Sequence, residues 1–580
     1  ISRSFEVPAN IEMAMLFLIS LVVPLTSSLS NFPIVHTRYG PVRGYEYQAK
    51  NGFVAEIFKK IPYASPPIGA KRWKKPVPPE AWNYTIDGTF FGPGCAQYPP
   101  RFITGHSEDC LALNIYTSRA CRESNASCPV AFFIHGGNAV TGGTMNYPDE
   151  SLVTNFASEG IVLVTMDYRL GIFGVLALGD ENVVPANLAI HDVLESLRFT
   201  RKEIHNFGGD KEQITVMGHS TGATMVLVIA FSKGINIPEE SSLFSRAVAM
   251  SPSAVFNKEE AQVAMSHFAA SALGCSGSAH EIIDCLMVMS TDEIIDGMAE
   301  KVESKAEVRD IALAGELLPF RNVKELHENL KPTTLLIGST LDELGYAPRS
   351  EKDHACFMIG AKNIDECVQK YERDTESGTF EPVYNVVSQA YFMLNWQIAN
   401  AQTKAGGEVY LYQYDYPLNA IHAQDLFYIL GSRPRELDSN EEWLSHVYPI
   451  YFSNFIKGLP LAPDWKPLDA GLMNYYSINK SFTDGVEPEM KIGYHQTIAD
   501  YYNNMIELDE KLTKIKQMQL NAPIQYKDLI LQATDTFSIT DIIFYSAVLG
   551  FIIFAVFKLN RSWLNKRSAE KSPLILAHGR

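Results

Sequence analysis

The residues best suited to do chemistry begin at Gly218-His219-Ser220-Thr221-Gly222, directly after the apolar run Gln213–Met217 and before ATMVLVIA. A G-x-S-x-G set between a strand and a helix makes a sharp turn that lifts the serine hydroxyl above the sheet edge. The helix N-terminus behind it offers free backbone N–H groups to a developing oxyanion. A serine hydroxyl is a poor nucleophile near neutral pH. It needs a base, and the base needs an orienting acid. In strand–elbow–helix sheets the chain order is serine, acid, histidine. Two downstream loops qualify: Leu341-Asp342-Glu343-Leu344-Gly345, and Ala420-Ile421-His422-Ala423-Gln424-Asp425. Spacing alone leaves Asp342 and Glu343 as rivals for the acid. Other histidines, such as His205, His327 and His446, read as surface or core residues.

A further element is Ile134-His135-Gly136-Gly137-Asn138-Ala139, a His-Gly-Gly loop at a strand end. Such a loop supplies an oxyanion hole, with donors expected from the N–H groups of Gly137, Asn138 and Thr221. One donor of this kind is worth about 2.7–4 kcal/mol to the transition state.

The elements that must position these groups are short apolar runs alternating with helical stretches. Pro129–Ile134, Ile161–Met166, Gln213–Met217, Thr334–Ile337 and Val409–Tyr414 read as buried strands, and Asn187–Phe199 has apolar residues at helical spacing. This is an α/β pattern with a mostly parallel sheet covered on both faces. The candidate catalytic loops lie at strand ends, where active sites of open α/β sheets gather. No linker rich in Gly, Ser or Pro interrupts residues 31–530, so one catalytic domain is expected there, with Glu507–Gln532 as a helix and stalk.

Composition sets the outer bounds. The chain has 580 residues, 46% hydrophobic and 20% charged, with a net charge of −17. That composition supports a large buried core. The acidic balance and lack of a dominant basic patch exclude nucleic-acid binding.

Both ends carry membrane signals. Ala14–Val23 is an apolar run followed by small residues, which suits a signal-peptide core with cleavage near Ser30, with Met13 as the expected start. Ile542–Phe557 is apolar or small throughout, and Lys558, Arg561, Lys566, Arg567 and Lys571 follow it. The expectation is a transmembrane helix over 539–559, a cytoplasmic tail over 560–580 and a lumenal or extracellular domain over 31–535. In the tail, Glu570, Leu574 and Ile575 resemble an acidic dileucine address for endosomes and lysosome-like organelles.

Eight cysteines fall as neighbours, Cys95/Cys110, Cys121/Cys128, Cys275/Cys285 and Cys356/Cys367. An even count behind a signal peptide implies disulfides, and proximity favours sequential pairing among 105 connectivities. No zinc-ligand spacing accompanies them. Sequons at Asn83, Asn125 and Asn479 fit a glycosylated lumenal domain.

Taken together, the motifs resemble the type-B carboxylesterase and cholinesterase family of α/β-hydrolases over roughly residues 33–500. The likeness rests on Phe58–Gly69 with Arg72-Trp73, on Ser107–Asn114 around Cys110, on Tyr168–Gly171 and on Asn206–Asp210. It implies an α/β-hydrolase fold, with Ser220 as nucleophile, Glu343 rather than Asp342 as acid, and His422 as base. Cys95–Cys110 and Cys275–Cys285 match family disulfides. The resemblance implies no metal or organic cofactor. It also implies a homodimer formed through C-terminal helices. Three departures stand out. Asn138 replaces a usual Gly, His219-Ser220-Thr221 replaces Glu-Ser-Ala, and Ala423 replaces a common Gly. The segment between Cys95 and Cys110 holds fourteen residues and no Trp. Cholinesterases bind the quaternary ammonium on a Trp there, so acetylcholine is not the expected substrate.

Three readings follow. The first is a hydrolase of carboxylic esters of small molecules. The second is an acyltransferase that passes the same acyl group to an alcohol or amine in an endolysosome-like compartment. The third is a catalytically weak, neuroligin-like adhesion protein, which the presence of all three triad residues argues against.

Overall fold

The computed structural model describes residues 32–98, 105–123, 127–231, 243–253, 256–301, 308, 310–321, 323–343, 351–416, 420–432 and 435–521. The expected signal peptide, transmembrane helix and tail, with Glu570, Leu574 and Ile575, lie outside these residues, as does Asn125. Among the described residues no helix is long and apolar enough to cross a membrane.

The described residues divide into two compact units. One takes those up to Glu343 together with Gln397–Tyr494, and the other takes those of Leu344–Trp396 together with those from His495 on. The sequence shows no boundary because the second unit is built from two separated segments, and neither is flanked by linker-like composition.

An eleven-stranded sheet organises the first unit. Its strands are β1 (Tyr45–Gln48), β2 (Val54–Pro62), β3 (Ala112–Thr117), β4 (Cys128–Ile134), β5 (Val162–Met166), β6 (Gly209–His219), β7 (Arg246–Met250), β8 (Thr334–Thr340), β9 (Val409–Tyr414), β10 (Tyr475–Ile478) and β11 (Glu489–Lys491). Across the sheet they run β11-β10-β9-β8-β7-β6-β4-β5-β3-β2-β1. From β5 to β10 every neighbour is parallel, and the edge pairs are antiparallel. The central strands are continuous apolar runs because both faces are covered. In β5 all five residues are buried.

Register aligns the strand ends that matter. Gly218 of β6 lies beside Ile134 of β4 and Ala249 of β7. One face of the sheet packs Phe133, Met217, Val248, Leu336 and Tyr412 with Tyr448, Phe452 and Phe455 of the helix Ser439–Lys457 in one core. Each such side chain contributes about 1.5–3 kcal/mol on burial. The helix Leu188–Glu203 is buried along most of its length. The helix Thr221–Phe231, which follows the serine, is apolar all round, as a helix enclosed by protein must be.

The family-like motifs are structural fasteners. Arg72 makes a bidentate ion pair with Glu108 at 2.6 and 2.7 Å, and the Trp73 indole N–H donates to the Ile172 carbonyl at 2.8 Å. Arg169 grips the fully buried Asp192 at 2.6 and 2.8 Å. Paired this way, buried charges are tolerated. All four sequential disulfides are formed.

In the second unit, Cys356–Cys367 ties the helix Glu351–Met358 to Ile364–Glu376. Asp509, on the helix Gln496–Asn521, accepts the N–H groups of Lys362 and Asn363 at 2.9 and 2.8 Å. That helix starts eleven residues before the expected Glu507, because Ile498, Tyr502 and Met505 bury one of its faces.

Candidate active site

Ser220 connects the end of β6 to the first residue of the following helix. Its φ of 55° is left-handed, which strains a residue with a side chain. Two hydrogen bonds hold it there. Its N–H donates to the Met250 carbonyl at the end of β7 at 2.9 Å, and its carbonyl accepts the Thr224 N–H at 3.0 Å. Gly222 has to lack a side chain, since a Cβ there would lie 2.3 and 2.5 Å from the Ile134 and His135 carbonyl oxygens. The same close approach presses the helix start against the His-Gly-Gly loop.

That loop touches the serine directly. A Cβ on Gly136 would stand 2.9 Å from the Ser220 Cβ. Gly137, Asn138 and Ala139 follow at φ 116°, 57° and 56°. Asn138 is exposed and Thr221 is buried. Asn keeps the left-handed backbone that its position demands, which is why a side chain is tolerated where the resemblance implies Gly. The Asn138 carbonyl accepts the Asp310 N–H at 3.2 Å, and the Ala139 carbonyl accepts that of Gly171 at 2.6 Å. The first N–H groups of the helix after Ser220, Thr221 among them, have no intrahelical acceptor and are available to an anion.

Glu343 and His422 meet. The His422 Nδ1 is hydrogen-bonded to Glu343 Oε2. The other oxygen, Oε1, accepts the Ser251 hydroxyl at 2.6 Å and the Thr340 N–H at 2.9 Å. Burial alone would push the Glu343 carboxyl up. His422, Ser251 and Thr340 together outweigh it and hold the carboxyl below its ordinary range. Asp342 is exposed. Its role is in the backbone, where its N–H donates to the Ala420 carbonyl at 2.7 Å and joins the acid-bearing loop to the base-bearing one. The chain thus brings Glu343, not Asp342, to His422. His205 and His446 are exposed.

His219 is buried, with its ring 4.7 Å from that of His422. An imidazole, neutral or cationic but never anionic, thus stands beside His422 where the resemblance implies a carboxylate. His135, stacked on Tyr168 at 4.4 Å, is buried with its Nδ1 bonded to the Gly136 carbonyl at 2.9 Å, and desolvation outweighs that bond and pushes it down to about 4. It is therefore neutral at physiological pH. Among the described residues no cluster of His, Cys, Asp and Glu could hold a metal ion. Asn83 is exposed and Asn479 half-buried, its side-chain oxygen accepting the Lys480 N–H at 2.7 Å.

Sequence reasoning missed Ser251, whose hydroxyl holds the acid. Its signal was position, since it directly follows the strand Arg246–Met250 at the sheet edge that carries Ser220. It also missed Asp425, whose surroundings depend on residues far away in the chain.

This arrangement has the parts for acyl transfer: a strained serine beside backbone donors, and an imidazole oriented by an ionised carboxylate. Comparison with known proteins agrees. Residues 31–497 match the carboxylesterase family. Juvenile hormone esterase of Tribolium castaneum is 33% identical over 324 residues, 54% of this chain and 52% of that protein. A carboxylic ester hydrolase of Bombus ignitus is 29% identical over 554 residues, 82% of this chain and 96% of that protein. Carboxylesterase 1C of Rattus norvegicus is 27% identical over 508 residues, 77% of this chain and 90% of that protein.

Proposed function

Because the chain belongs to the carboxylesterase family and is a carboxylic ester hydrolase, we propose that it cleaves esters of small molecules through an acyl-enzyme on Ser220. His422 accepts the hydroxyl proton as Ser220 Oγ bonds to the ester carbonyl carbon. The carbonyl oxygen becomes an oxyanion that takes hydrogen bonds from the N–H groups of Gly137, Asn138 and Thr221. The alkoxy group leaves with the proton held by His422. Water then attacks the acyl-serine, giving its proton to His422, and the free acid departs as Ser220 is re-protonated. Glu343 stays ionised, fixes the tautomer that keeps Nδ1 protonated, and stabilises the imidazolium.

The observation that carries this reading is the Glu343–His422 bond, with the second carboxylate oxygen saturated by Ser251 and Thr340. A carboxylate fixed by three donors is built to orient one imidazole. The departures at Asn138 and His219 leave that pair in place.

The test is covalent labelling of the full chain with a fluorophosphonate, read by intact mass, beside Ser220→Ala. Labelling of the parent but not the variant, with free acid as the product of a simple ester, supports the reading. No labelling of a folded parent overturns it, and an acylated alcohol or amine formed in preference to free acid replaces hydrolysis with transfer.

A further inference from the structure

Three positions after His422, a second carboxyl lies in the same buried region. Asp425 is fully buried. Its Oδ2 accepts the Tyr448 hydroxyl at a long 3.3 Å, and its Oδ1 is buried without a hydrogen-bond partner. The titratable groups facing it are Glu343 after β8, Tyr412 and Tyr414 on β9, His422 on its own loop, and Tyr448 on the helix Ser439–Lys457. None of these is a lysine or arginine.

The contrast with Glu343 decides where the charge resides. Glu343 receives three donors, one of them on the imidazole. Asp425 receives only the long Tyr448 hydroxyl and its own backbone N–H, neither of them on the imidazole, and faces an ionised carboxylate. Two buried carboxylates beside one imidazole do not both ionise, and the proton stays on the one with fewer donors. We propose that Asp425 is a positioning residue, a carboxylic acid kept protonated near the catalytic pair so that Glu343 alone carries the negative charge that orients His422. Consistent with that geometry, burial first and the Glu343 charge second push the Asp425 carboxyl up to about 7. Once ionised, Asp425 would add a second negative charge near His422 and make the imidazole a tighter proton holder.

The proposal rests on the esterase reading for its meaning, but one of its tests needs no activity. Infrared difference spectra of the full chain between pH 5.5 and pH 8.5 are compared for the parent and Asp425→Asn. The expected result is a carbonyl band of a buried protonated acid that fades with a midpoint near pH 7 in the parent and is missing from Asp425→Asn. Identical difference spectra would overturn the proposal. Tyr448→Phe, which removes only a hydroxyl, is the second variant. It should shift that band, and an unmoved band would count against the assignment.

Kinetics give an independent check. Asp425→Asn mimics the neutral acid, so the acid limb of its kcat/KM pH profile should lie where the parent's does. Only the change in activity above pH 7 should be lost. A downward shift of the acid limb by a unit or more would mean that the parent carries an ionised Asp425, contradicting the proposal. Absence of esterase activity in the parent would end the esterase reading and leave the infrared result to decide on Asp425.

Discussion

Glu343 and Asp425 are both fully buried acids in the neighbourhood of His422, yet their surroundings differ in one respect. Glu343 accepts from Ser251, Thr340 and His422, whereas Asp425 has the Tyr448 hydroxyl at a long 3.3 Å and its own backbone N–H. Burial raises the cost of charge for both. The donors decide that Glu343 falls below its ordinary range while Asp425 rises to about 7. The donors, the His422 imidazole among them, therefore separate the two carboxyls.

The largest break in that comparison is Glu343→Gln. Its amide keeps the shape but loses the charge and offers the wrong partner to Nδ1, so kcat should fall on the order of 10⁴-fold with little change in KM. Steady-state ester hydrolysis measures it, and a loss below about tenfold would remove Glu343 from the role of orienting acid. Next is Ser251→Ala, which deletes one donor to the ionised oxygen. Hydrogen bonds to charged groups contribute about 1.5–3 kcal/mol, so activity should drop on the order of ten- to a hundredfold. The Glu343 carboxyl should also titrate at higher pH, and an unchanged acid limb would speak against the donor argument.

Asp425→Asn sharpens the comparison through stability. The folded pKa of Asp425 is raised from 3.8 to about 7, so between those values the folded state binds the proton that the unfolded state releases. Its contribution favours folding below pH 4 and is lost as pH rises to about 7. Asp425→Asn has no such loss, so its melting temperature relative to the parent should be higher at pH 8 than at pH 5. An equal difference at both values would contradict the assignment. The smallest effect expected is that of Asn138→Gly, because the backbone N–H and the left-handed turn are both retained. It should change kcat/KM by less than about tenfold, mainly by admitting bulkier acyl groups. A loss as large as that of a missing oxyanion donor would show that the Asn side chain itself takes part.

Much of this was legible in the sequence, for reasons that the structure makes explicit. Val409–Tyr414 is a strand over the expected bounds, and Gln213–Met217 lies within a longer one, Gly209–His219, that is buried from Ile214 on. Runs buried on both faces announce themselves by composition. Val54–Pro62 did not, because Glu56, Lys59 and Lys60 make it look like surface. In the structure Glu56 is buried against Arg122, and Lys59 is buried against Asp149 at 2.7 Å with the Phe91 ring 3.7 Å away. Ser220 and the His-Gly-Gly loop were readable because their backbone geometry demands glycines at fixed offsets. Glu343 was not separable from Asp342 by spacing, and only the likeness to a family favoured it. Ser251 and Asp425 were hidden because their roles depend on partners 92 and 23 residues away.

The central claim is a covalent acyl group on Ser220, and acid-quenched intact mass during turnover of an activated ester tests it most directly. The account predicts a transient mass increase of one acyl group on the parent, located to the peptide holding Ser220 and missing from Ser220→Ala. Hydrolysis of the ester with no such adduct, or equal turnover by Ser220→Ala, would contradict it.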